Sequence, residues 1–171
     1  MTPRNRKLNQ LSGVSIARAL LRVTVGGTMV AHGLRHARTL EGTAGWFESI
    51  GFREPMLQAR TSAVVEVGAG GAVLVGAATP LAAAAVVGTM TVAAETVHRP
   101  NGYFIVQEGW EYVGFISAAA VALAALGPGR VSVDRLFCVD ERGSGLGRAG
   151  LALALGVGGA AAQLKTFRTR P

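Results

Sequence analysis

A single cysteine, Cys138, stands among 171 residues. One thiol excludes an internal disulfide, a Cys-x-x-Cys redox pair and a zinc knuckle. Charge is scarce as well: 16% of residues are Asp, Glu, Lys or Arg, against about 25% in an average soluble domain. The charge present is mostly basic, 17 Lys and Arg against 10 Asp and Glu. That excess does not indicate nucleic acid, because the basic residues are spread over termini and loops rather than gathered on one helix face or among stacking aromatics. Anionic lipid headgroups are the counterions it suits.

What is abundant is apolar sequence in long blocks. Half the residues are hydrophobic, and Val67 to Ala94 runs for 28 residues without a charge, closed by Glu66 at one end and Glu95 at the other. Tyr112 to Gly129 and Ala149 to Leu164 are also uncharged, and Val14 to Leu34 is broken only by Arg18, Arg22 and His32. A soluble bundle would show a polar stripe at helical spacing, and residues 67 to 94 offer no charged position for one. The blocks therefore predict membrane helices. They are rich in Ala and Gly, and Gly68, Gly70, Gly71 and Gly76 suit close packing against a neighbouring helix.

The expected architecture is all-α: a transmembrane antiparallel four-helix bundle with an additional C-terminal helix. The bundle helices are expected at about Val14 to Leu34, Ser62 to Ala77, Pro80 to Val97 and Glu111 to Leu126. Gly76 to Pro80 is a turn, with Thr79 as cap and Pro80 at the first helical position. A further segment, Arg148 to Lys165, suits a span, an interfacial helix or one packed on the bundle. Residues 1–13 read as a cytoplasmic N-terminal tail, 14–136 as the membrane bundle, and 137–171 as a linker, an apolar helix and a basic tail. Met1 to Gln10 is basic and polar ahead of a long apolar segment, which predicts an uncleaved first helix. With the N-terminus in the cytoplasm, that side holds seven loop and tail Lys/Arg against five, before any fifth span adds Lys165, Arg168 and Arg170 to the other. Trp46, Tyr103, Trp110 and Tyr112 all fall at the Glu66 and Glu95 end; the Gly76 to Pro80 turn looks bare.

Threaded this way, His32, Glu66, Glu95, His98 and Glu111 arrive from four helices at one half of the bundle. At about 1.5 Å per residue, Glu66 and Glu95 stand roughly 15 and 22 Å from the turn, inside a hydrocarbon core of about 30 Å. Acids at that depth mark a functional site by default. Three chemistries suit the set. Two carboxyls sharing a proton suit proton uptake at a quinone headgroup. Glu95 and His98 form one Glu-x-x-His element of the kind used in bundle metal sites, though it occurs once rather than twice. Or the acids pair with Arg18 or Arg22 and fix the packing. Arg22 could reach Glu66 only by extending along the bundle, and Arg18 is expected to snorkel to headgroups. Gly145 to Gly150 fits G-x-G-x-x-G, but no acidic residue follows it, so no dinucleotide site is read there.

The order Arg22, Ala31-His32-Gly33, Gly45 to Phe52, Glu66-Val67-Gly68, His98 to Phe104, Gly109 to Tyr112, Gly127 to Arg130 and Ser132 to Leu136 resembles the DoxX family, over about residues 14 to 136. The resemblance implies a small integral membrane protein with a four-helix core, in a family tied to quinone-dependent or thiol-related oxidoreductase systems. It supports His32, Glu66 and His98 as family-typical polar positions. The expected function is an accessory subunit of a quinone-linked or thiol-linked redox system, in the cytoplasmic membrane. Glu66, Glu95, His32, His98 and Arg22 would line its polar intramembrane pocket, with quinone as the candidate cofactor and the bilayer plus a partner protein or a second copy as partners. The rival is a non-catalytic scaffold for a partner enzyme; a small-solute carrier is disfavoured because few short helices leave little room for alternating access.

Overall fold

A computed structural model describes residues 13–139 and 143–169. The N-terminal tail expected at 1–13 lies outside the described residues but for Gly13, as do Arg142 and Arg170. The long helices are α1 (Gly13–Arg38) and α4 (Thr79–Asn101), with α2 (Leu40–Ser49) and α3 (Pro55–Val75) between them. They are followed by α5 (Glu111–Leu126), the short α6 (Val133–Leu136) and α7 (Gly145–Phe167). Among the described residues there is no strand, only a bridge between Phe52 and Arg168.

α1, α3, α4 and α5 form the antiparallel bundle, and α7 packs along α4 and α5 as a fifth helix. α1, α4 and α7 are long and apolar enough to cross a membrane. The C-terminal end of α7 lies at the Glu66 end of the bundle: Arg53 N–H donates to Phe167 O (2.7 Å) and Thr169 N–H to Gly51 O (2.8 Å). Gly13 and Thr169 thus stand on opposite faces.

Two helical stretches go beyond the sequence expectation. α3 begins at Pro55 rather than near Ser62, because Pro55 occupies the first turn, where a missing N–H costs nothing. α2 occupies what reads as loop. Its Gly42 and Gly45 weaken helix propensity, but Thr43, Ala44 and Phe47 bury one face, and Phe47 meets Phe52 edge to face at 5.3 Å.

Close approach is selective. A Cβ at Gly70 would stand 2.7 Å from Gly26 O, and one at Gly156 would stand 2.7 Å from Ala84 O and from Val87 Cβ, so α1 meets α3 and α7 meets α4 backbone to backbone. Gly76 is the left-handed C-cap of α3, with φ 66°. Gly68 and Gly71 face open space, so the expectation of helix packing for these two is corrected.

The turn end is densely hydrogen-bonded, not bare as expected. Asp134 of α6 accepts from Ala78 N–H (2.6 Å), Thr79 N–H (2.9 Å) and Thr79 Oγ1 (2.8 Å). The N-terminal cap of α4 therefore comes from 55 residues away, while Thr79 is the helix's first residue and Ala78 turns left-handed at φ 44°. Arg22 donates to the carbonyls of Val73, Leu74, Pro128 and Val131. Arg18 donates to Leu126 O (2.7 Å), and Arg148 to Ala124 O and Ala125 O. Arg18 is thus a helix C-cap rather than a snorkelling cation, and neither arginine pairs with Glu66 or Glu95.

Asp134→Ala is expected to destabilise the bundle by roughly 2 kcal/mol, the upper end of an N-cap loss, measured by thermal unfolding in detergent. Gly156→Val is expected to cost about 1–3 kcal/mol through overpacking, whereas Gly71→Ala leaves the transition unchanged; equal effects would mean that α7 does not dock at the Gly88–Gly156 crossing.

Candidate functional site

Every fourth residue along one stripe of α1 is polar: Thr28, His32 and His36. Residues four apart share a helix face, and this one looks into a cavity of about 310 Å³ at the aromatic-rich end of the bundle. α3 contributes Ser62 and Glu66, α4 Thr96 and His98, α5 Tyr112, α7 Gln163, and α2 the rings of Trp46 and Phe47. Most of the remaining wall is aliphatic.

Glu66 is 3% exposed. Its neighbour across α1 is Gly33, where a Cβ would come within 2.8 Å of Glu66 Cβ, so glycine there lets the glutamate-bearing turn sit against α1. Ser62, one turn earlier, donates its hydroxyl to Glu66 Oε1 at 2.5 Å. His36 Nδ1 lies 3.1 Å from Ser62 Oγ and 3.3 Å from Glu66 Oε1. With Glu66 ionised, Ser62 has spent its only hydrogen, so the His36 contact requires Nδ1–H as donor. The other carboxylate oxygen, Oε2, is buried and has no hydrogen-bond partner in the protein. An unpaired buried polar atom is costly and uncommon.

The histidines differ. His98 Nδ1 stands 2.6 Å from Glu108 O, and since a carbonyl only accepts, Nδ1 carries the hydrogen. His32 is exposed, with its ring 6.4 Å from that of Tyr112. His36, which the sequence reading passed over, is the one histidine that reaches Glu66.

Of the five residues expected in the pocket, the structure brings together Glu66, His32 and His98. Glu95 lines a different recess, between α4 and α5, and is held by Arg99 through two contacts of 2.8 and 3.0 Å. Arg22 sits at the opposite end, occupied with carbonyls. The backbone explains the separation of Glu95 from His98. Residues Ala94–His98 form a π turn, whose i→i+5 bonding widens the helix and spreads residues three apart onto different faces. Glu95 and His98 therefore do not converge, and among the described residues no group of three or more His, Cys, Asp or Glu is arranged to hold a metal ion. Glu111 accepts from Ile105 N–H (2.9 Å) and ties down the 102–110 loop, where Tyr103 and Trp110 pack edge to face at 4.8 Å.

An all-α bundle with three helices of membrane-crossing length and apolarity, and an acid buried among them, is a membrane protein in contact with the lipid bilayer. Residues 17–99 match the DoxX family model, so this segment of the chain is similar to the DoxX family. The match spans α1 to α4 and includes His32, His36, Glu66 and His98, stopping short of α5 and α7. Comparisons with curated proteins and with solved structures give no match.

A double-mutant cycle of Ser62→Ala with Glu66→Gln is expected to show a coupling of about 1 kcal/mol, read from unfolding in detergent. Additive effects would mean that the hydroxyl does not serve the carboxylate.

Proposed function

We propose that this chain is an accessory subunit of a membrane redox system, and that its cavity receives the headgroup of a quinone. The observation that carries the proposal is the buried carboxylate of Glu66, a residue of the cavity wall, with one oxygen engaged by Ser62 and the other without a partner in the protein. A quinol presents a hydroxyl that such an oxygen would accept, and a quinone presents a carbonyl to which protonated Glu66 would donate. The volume agrees: small-molecule sites run from about 300 to 1,000 Å³, and a cavity of 310 Å³ suits one ring.

Proton traffic has a route. Glu66 takes the proton of a bound quinol, and once Glu66 is protonated the Ser62 hydroxyl relays it from Oε1 to His36, whose Nδ1 accepts it in the tautomer that holds the ring hydrogen on Nε2. His36 is partly exposed on the face that carries Arg35 and Arg38, so a proton reaching it is released at the membrane surface. Electrons leave through the partner that an accessory subunit implies. Cytoplasmic-membrane location and a cytoplasmic N-terminus belong to the same proposal. With α7 as a fifth span, Lys165 and Arg168, and Arg170 by its place in the sequence, count on the far side, which reverses the slender Lys/Arg balance to seven against eight. The orientation rests on the basic residues Arg4, Arg6 and Lys7 ahead of α1.

The decisive measurement is quinone binding to the detergent-purified protein, followed by quenching of Trp46, which lines the cavity. Wild type is expected to bind and Glu66→Gln, which keeps the shape and loses the charge, to bind quinol at least about tenfold more weakly. Unchanged binding in Glu66→Gln would remove Glu66 from the site. No binding in wild type, with no quinone carried through purification, would leave the scaffold reading in place.

A further inference from the structure

The cavity has a side as well as an end. Packing between α1 and α5 is concentrated at the π turn Arg22–Gly26. Beyond that turn, toward Glu66, the two helices face each other through Thr28 and His32 on one side and Tyr112 and Val113 on the other, all four lining the cavity. His32 and Tyr112 stand 6.4 Å apart with their rings tilted by 31°, His32 exposed and Tyr112 half-buried. Leu34 and Phe115, 41% and 74% exposed, continue the apolar surface on α1 and α5.

The loop end is bounded differently. Trp46 and Phe47 line the cavity from α2, and Phe47 is itself locked against Phe52. His98 is tied to Glu108 O, and the 102–110 loop is closed on itself by Trp110 N–H to Gly102 O and Glu111 N–H to Tyr103 O. Opening this end would break backbone hydrogen bonds; the seam is crossed by side chains, with Thr28 hydrogen-bonded to Tyr112.

Size limits what the cavity can hold whole. At 310 Å³ it lies at the bottom of the range for small-molecule sites, so a ligand carrying a long chain must leave that chain outside, and the seam is where it would lie in lipid. Resting on the function proposed above, we infer that the ligand is a tailed amphiphile which enters sideways from the bilayer through the α1–α5 seam. Its polar ring meets Glu66, and its apolar tail trails outward between His32 and Tyr112.

The test uses the full chain in lipid nanodiscs and two probes: tetramethylbenzoquinone without a tail, and the same ring with a decyl tail ending in a photoreactive diazirine. Affinities are compared at equal concentration within the membrane, and the cross-links are mapped by mass spectrometry. The tailed probe is expected to bind about tenfold tighter or better and to label residues of α1 and α5 near Leu34 and Phe115. Equal affinity, or labelling of α2 or the 102–110 loop instead, would overturn lateral access while the quinone proposal stood. Failure of both rings to bind would sink the two together.

Discussion

Within hydrocarbon no water is available to satisfy the free N–H and C=O groups at a helix end, so the protein must supply their partners. The fold depends on how this is met at the Gly76 end, where α3 and α5 finish and α4 and α7 begin. Arg22 serves the last carbonyls of α3, Arg18 and Arg148 those of α5, and Asp134 the first N–H groups of α4. The signs are right for the helix dipoles, cations at C-termini and an anion at an N-terminus. Hydrogen bonds to charged groups are worth about 1.5–3 kcal/mol each, so the cluster holds together helices whose Ala- and Gly-rich surfaces contribute mainly close van der Waals contact. It also fixes the loop after α5 onto the α3–α4 turn, through Asp134 N–H to Gly76 O.

With one end locked, the other tolerates irregularity. α4 widens into a π turn and then a short 3-10 turn before Gly102. α2 folds under the loop as a separate helix, and the 310 Å³ cavity opens between helices that meet tightly lower down at Gly26 and Gly70. π turns cluster at functional sites because they re-aim side chains without ending the helix. Here the re-aiming is visible: His98 turns to the cavity while Glu95, three residues earlier, turns to the opposite recess and to Arg99.

The helical class and the hairpin around Gly76 were legible in the sequence because uncharged length and turn residues are local signals. So was Glu66, the acid that closes the longest uncharged run. The stripe Thr28, His32, His36 was equally readable at its spacing of four, yet His36 looks like one more loop residue beside Arg35 and Arg38 until α1 is seen to run on to Arg38. What could not be read is non-local or depends on helix phase. Nothing near Arg22 announces that it caps α3 and the loop after α5. The pairing of Asp134 with Thr79 spans 55 residues, and the π turn that separates Glu95 from His98 breaks the 3.6-residue rule on which their pairing was inferred.

The two buried acids among the described residues provide an internal comparison. Asp134 and Glu66 are 5% and 3% exposed. A carboxylate retained only for structure should have its oxygens satisfied, since burial without partners costs more than the group returns. Asp134 meets that condition: three donors converge on its two oxygens, and removing it would free two backbone N–H groups at a helix start. Glu66 does not. Its Oε1 is served by Ser62, with His36 close by, while Oε2 lies buried and unmatched, in a residue that lines a cavity together with histidine, threonine and tyrosine. The same chain therefore shows what a structural acid looks like when its geometry is complete, and Glu66, a residue of the cavity wall, departs from that pattern at one unmatched oxygen.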